Sequence, residues 1–160
     1  MSVFCTFALN NRETSSLYCL GLRMIEAYSG HGKGRDNPNA VSIPMTGAIP
    51  PGTYFIVDRQ SGGRLGWLHD LSDTYLGSTD RTKWFMLWNA HGGDTTMIDG
   101  IRRGNFRLHP EGPMRESDGC ITVKNGNDFE RLQRYIRSHK PNIAIPGSDH
   151  LKAYGRLEVR

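Results

Sequence analysis

The chain has 160 residues, a formal charge of +4 and 37% hydrophobic residues, enough to bury one core in one domain spanning residues 1–160. No stretch approaches about 18 consecutive apolar residues, which excludes a membrane-spanning helix and insertion through one. Acidic and basic residues alternate along the chain with no Arg/Lys stripe interleaved with aromatics, which argues against nucleic acid and leaves a mild preference for anionic surroundings such as a cell wall.

MSVFCTFALNNRETSS lacks the basic and apolar regions of a signal peptide, so the chain is expected to be made in the cytoplasm and not exported by the general secretory route. VFCTFAL and LYCLGL read as the arms of a hairpin around the polar NNRETSS, and RMIEAYSG as a third strand. Cys5 and Cys19 lie in the two arms and could face each other across the hairpin; buried free thiols are favoured over a disulfide, which stays open. SGHGKGRDNPNAVSIP, residues 29–44, is a polar loop; its GHGKG lacks phosphate-loop spacing and reads as a substrate-facing loop or a plain surface loop, with His31 a candidate substrate contact or a solvent-exposed histidine. AIPPGTYFIVDR gives a turn and then an alternating strand from Tyr54 to Val57. SGGRLGWLHDLSDTYLGSTDRT is irregular and is expected to cover one side, and KWFMLWN reads as a central strand. His91 sits in the following turn, NAHGGDTT, beside Asn89, and NFRLHP and GCITV are two short strands.

The one clear helix is NDFERLQRYIRSHK, capped by Asn125 or Asn127, with Phe129, Leu132, Tyr135 and Ile136 on one face and Pro141 beyond its end. YGRLEV is a closing strand. With 19 glycines and 8 prolines marking turns, the fold class is mostly β, a β-rich α+β domain of antiparallel strands with one helix in its C-terminal half.

Cys120 is the odd one of three cysteines, and LHPEGPMRESDGCITV places it eleven residues after His109. A catalytic thiol needs a nearby base and donors aimed at the oxyanion formed on attack. His109 ends a strand with Arg107 on the same face, and the intervening turn can fold Cys120 back beside it. Gly119 permits close backbone approach, so the N–H groups of Gly119 and Cys120 suit an oxyanion hole; Ser117 can orient the imidazole through its hydroxyl or carbonyl. His91 is the rival base. Taken alone, the Gly-Cys-Ile stretch is equally compatible with a buried structural thiol. His69, His139 and His150 are scattered without metal-ligand spacing, so no metal and no cofactor are expected. Trp67, Trp84 and Trp88 are assigned to core or cleft wall.

The same stretch resembles the active-site signature of the L,D-transpeptidases, the YkuD-like fold, in which a histidine precedes a Ser/Thr-x-Gly-Cys-Ile motif. Upstream, Tyr28-Ser29-Gly30, Asp36-Asn37-Pro38 and Gly47-Ala48-Ile49-Pro50, followed by Arg107-Leu108-His109-Pro110, are similar to the divergent branch of type VI secretion L,D-transpeptidase effectors. Asp118 stands where many L,D-transpeptidases have histidine, Thr122 and Val123 where they have Arg or Asn, and the His109–Cys120 gap is shorter. These departures fit the effector branch better than the housekeeping crosslinkers.

By position, the resemblance implies Cys120 as nucleophile, His109 as base, and Ser117 and Gly119 as the motif's fixed small residues. Asp118, Arg107, His91 and His31 are the substrate-side candidates. It implies an antibacterial enzyme that removes or exchanges the terminal D-Ala of peptidoglycan tetrapeptide stems, acting as L,D-carboxypeptidase or L,D-transpeptidase. It also implies delivery by a type VI secretion spike or tube into a target's periplasm, and a cognate immunity protein. The rival readings are a noncatalytic peptidoglycan-binding module and a cysteine amidase cutting lower in the stem.

Overall fold

The computed structural model describes residues 1–58, 81–113, 115 and 117–160. Trp67, His69 and most of the irregular segment around them lie outside those residues. The first hairpin forms as expected: β1 (Val3–Phe7) and β2 (Ser15–Cys19) alternate buried and outward residues and pair antiparallel. β3 (Ile25–Ser29) follows, then, beyond the polar loop with its short 3₁₀ turn Gly32–Gly34, β4 (Gly52–Asp58) and β5 (Phe85–Asn89). β6 (Thr95–Ile98) and β7 (Ile101–Gly104) make a separate hairpin, and β8 (Arg107–Pro110) and β9 (Ile121–Val123) follow it. After helix α1 (Gly126–Arg137) come a further hairpin, β10 (Ile143–Ile145) with β11 (Ser148–Ala153), and the closing strand β12 (Gly155–Val159).

Eight of these strands close into a barrel in the order β1-β12-β4-β5-β8-β9-β3-β2, so the sheet has no free edge. The neighbouring strands run antiparallel except for β1–β12 and β8–β9, which are parallel. The β-rich α+β class is therefore observed. Inward residues such as Phe7, Leu17, Ile56, Leu87, Leu108 and Ile121 fill the barrel, and α1 adds Phe129, Leu132 and Ile136 to the same core. Asn125 caps α1, its side-chain oxygen accepting from the backbone N–H of Asn127 and Asp128. A smaller cluster, Val57, Met86, Ile145 and Ala153, lies under the β10–β11 hairpin.

One expectation is corrected. Cys5 and Cys19 are joined by a disulfide, and both are fully buried. They are direct cross-strand partners in the β1–β2 register, which brings their Cα atoms to 4.0 Å. Reading the thiols as free rested on the expected cellular compartment, and the pairing geometry overrides it.

Candidate active site

β8 and β9 are where the chemistry-bearing residues meet. Leu108 and Ile121 pair across them and point into the core, so by two-residue alternation Arg107, His109, Cys120 and Thr122 face outward together. A parallel pair cannot be joined by a tight turn, so the chain has to return between Pro110 and Ile121 for β9 to start level with β8. That return places Cys120 beside Arg107 in the register, and His109 opposite Thr122. Cys120 and His109 are thus diagonal neighbours, one two-residue step apart, about 6.6 Å along the strand.

The His109 ring is held on several sides. Trp84, next to it across the β5–β8 pairing, stacks on it with ring centroids 4.4 Å apart, and Thr122 Oγ1 lies 3.5 Å from Nε2. Nδ1 is 2.8 Å from the Pro110 carbonyl. A carbonyl only accepts, so Nδ1 carries the proton and Nε2 keeps the lone pair that a base needs. The residue is 9% exposed, so the imidazole is largely withdrawn from water.

Cys120 is the free cysteine among the described residues, and its thiol donates to the Asn105 carbonyl at 3.7 Å. Burial pushes its pKa up to about 11, against the lowering effects of the Arg107 backbone N–H and of the Arg107 and Arg103 charges. The resting group is therefore a thiol, and attack requires a base.

The turn before it is tightly fixed. Ser117 Oγ donates to the Cys120 carbonyl at 2.6 Å, and the Ser117 carbonyl accepts from His31 Nδ1 at 3.1 Å. The ring that Ser117 steadies through its carbonyl is thus His31, while the Pro110 carbonyl holds His109. Gly119 has φ of +109°, and a Cβ there would stand 2.5 Å from an Arg103 guanidinium nitrogen. Both the backbone angle and the space require glycine.

The other expected residues separate. His31 Nδ1 is also 3.8 Å from the mostly exposed Asp118 carboxylate, which places His31 against the turn before Cys120. Arg107 is paired with Asp94 at 2.7 Å, which favours a role in steadying the site over free capture of a carboxylate. His91 is exposed in the turn after β5, its backbone N–H bound to Asn89 Oδ1. Beyond His109 the outward face continues to Glu111, which accepts from Tyr28 Oη at 2.8 Å. There it opens into a cavity of about 450 Å³ whose lining includes Glu13, Glu26, Arg35, Glu111, Arg115 and Lys124.

Residues 23–148 match the family model described as the Tlde1 domain. The chain belongs to the Tlde1 domain family. This is a family of type VI secretion effectors, proteins delivered into target cells and accompanied by cognate immunity proteins. A search of curated proteins returns no match.

In this Tlde1 domain the upstream motif residues form the support of the cysteine turn. Ser29 accepts the Ile49 N–H at 2.8 Å and donates to the Gly119 carbonyl at 3.2 Å. Asp36, fully buried, accepts the Ser29 N–H at 2.9 Å, and Arg103 holds the Gly47 carbonyl at 3.0 Å. Sequence reading missed Arg103, Asn105, Asp94 and Thr122 as site residues. Asn105 left one usable signal, a non-glycine in a turn, and it has φ of +58°. Arg103, on a polar hairpin, left none. No helix among the described residues is long and apolar enough to cross a membrane.

Proposed function

We propose that this Tlde1 domain is a cysteine acyltransferase on peptidoglycan tetrapeptide stems, with Cys120 as nucleophile and His109 as base. The observation that carries the reading is the shared outward face of β8 and β9, where a thiol and an imidazole whose proton sits on Nδ1 stand one two-residue step apart. The Cys120 proton passes to His109 Nε2 and the sulfur attacks the carbonyl carbon of the diaminopimelate residue. The carbonyl oxygen becomes an oxyanion facing the N–H groups of Gly119 and Cys120. Collapse breaks the peptide bond, His109 protonates the leaving amine, and D-Ala departs, leaving a thioester on Cys120. Water resolves it to a tripeptide, a free D-amino acid gives exchange, and a second stem's amine gives a crosslink.

A stem peptide carries carboxylates and an amine, and the cavity beyond Glu111 offers both signs of charge on the reacting face. His31 and Asp118 at the opposite end suit contacts with the leaving residue. The fold class fits a YkuD-like catalytic domain, and a wall substrate fits delivery into a target's periplasm by the secretion spike or tube.

Expression in a susceptible bacterium tests this. Export to the periplasm is expected to arrest growth and deplete tetrapeptides from the muropeptide profile, and cytoplasmic expression to be harmless. Cys120→Ala is expected to be harmless in both. Toxicity confined to the cytoplasm would remove the cell wall as target.

A further inference from the structure

Arg103 on β7 is 4% exposed, and its hydrogen-bond partners among the described residues are backbone carbonyls. It donates to Gly47 at 3.0 Å, Ala48 at 3.4 Å, Val41, and Asp118 at 3.5 Å. One buried guanidinium therefore ties the loop at 41–48 to the turn that precedes Cys120. Ser29, also fully buried, holds the next carbonyl of that turn, Gly119, at 3.2 Å. In a trans peptide the N–H points opposite to the C=O. Anchoring the Asp118 carbonyl sets the direction of the Gly119 N–H, and anchoring the Gly119 carbonyl sets that of the Cys120 N–H. Two successive amides are thus fixed by two inward anchors, leaving both N–H groups turned away from the interior.

We propose that Arg103 and Ser29 are the positioning residues of the oxyanion hole: by holding the Asp118 and Gly119 carbonyls inward they keep the Gly119 and Cys120 N–H groups aimed at the cleft. The proposal rests on the reading of Cys120 as the nucleophile. Preorganised donors act only if they need no reorientation when charge develops, which is what anchoring their carbonyls provides. The Arg103 charge adds positive potential beneath the turn, and its influence on the Cys120 thiol has the matching sign.

The test separates formation of an oxyanion from reactivity of the thiol. Alkylation by iodoacetamide displaces iodide at a saturated carbon and forms no oxyanion, whereas release of D-Ala does. Arg103→Lys keeps the charge but loses the two-pronged grip, and Ser29→Ala removes the other anchor. Both are expected to keep a cooperative thermal transition and the wild-type rate and pH profile of Cys120 alkylation. The kcat for D-Ala release from disaccharide-tetrapeptide should fall about 10²-fold, with KM little changed. Unchanged kcat in both variants overturns the proposal. So does a parallel loss of alkylation and kcat, or loss of the folded transition, since either makes the two residues framework only. Full activity of Cys120→Ala, run alongside, would instead sink the nucleophile assignment.

Discussion

Cys120 illustrates how neighbouring effects compete at a single residue. Two arginines favour its thiolate, but burial outweighs them and leaves the pKa at about 11. Thiolate is therefore scarce at neutral pH, and under the proposed mechanism Cys120 relies on general-base help from His109 rather than on a standing ion pair. Alkylation of Cys120 in the absence of substrate should accordingly be slow at pH 7 and climb steeply through pH 9 and above. A rate already flat from pH 6 would mean that the ion pair exists. Asp36 obeys the same competition in a supporting role, burial raising its pKa from 3.8 to about 7 against the lowering effect of the Ser29 N–H. Between those values the folded state holds a proton that the unfolded chain has lost, so stability falls as pH rises from about 4 to about 7 and stays lower above. Asp36→Asn keeps the acceptor for Ser29 and should flatten that part of the melting-temperature profile; an unchanged slope would place the titration elsewhere.

At the scale of elements, legibility followed the locality of the signal. Helix α1 was readable because its apolar face and its cap are both written within a dozen neighbouring residues. Phe129, Leu132 and Ile136 are buried, with Asn125 as the cap. Asn125→Ala should cost about 1 kcal/mol, which lowers the melting temperature by about 2–4 °C for a domain of this size. No shift would mean that packing alone holds the helix start. β8 and β9 were readable as short strands, and their common face followed from alternation. Their parallel pairing was not, because it depends on where residues 111–120 return. The β6–β7 hairpin was missed for the opposite reason: its residues are mostly partly or fully exposed, with Arg103 alone buried, so no apolar alternation marks it. The turn before Cys120 was therefore legible from Ser117 onward, and the residues that tie it down on β3 and β7 were legible only as motif letters or not at all.

On the scale of the whole molecule, closure depends on contacts between the chain's two ends. β12 pairs with β1 on one side and β4 on the other, a long-range arrangement that no local pattern encodes. The Cys5–Cys19 disulfide sits inside that closure, with both sulfurs in the core. Its loop, with a sequence separation of 14, corresponds to about 3 kcal/mol of lost chain entropy in the unfolded state. The Cys5→Ala, Cys19→Ala double variant should thus melt about 6–12 °C lower while its Cys120 alkylation profile stays unchanged. An unshifted melting temperature would mean that the paired strands hold without the bond.

The most direct test of the central assignment is mass spectrometry of purified disaccharide-tetrapeptide incubated with the wild-type protein and with Cys120→Ala. Wild type should remove one alanine, or replace it with an added D-amino acid, and the variant should leave the tetrapeptide intact. An intact tetrapeptide in both samples, or turnover that survives in Cys120→Ala, would contradict an acyl-enzyme built on Cys120.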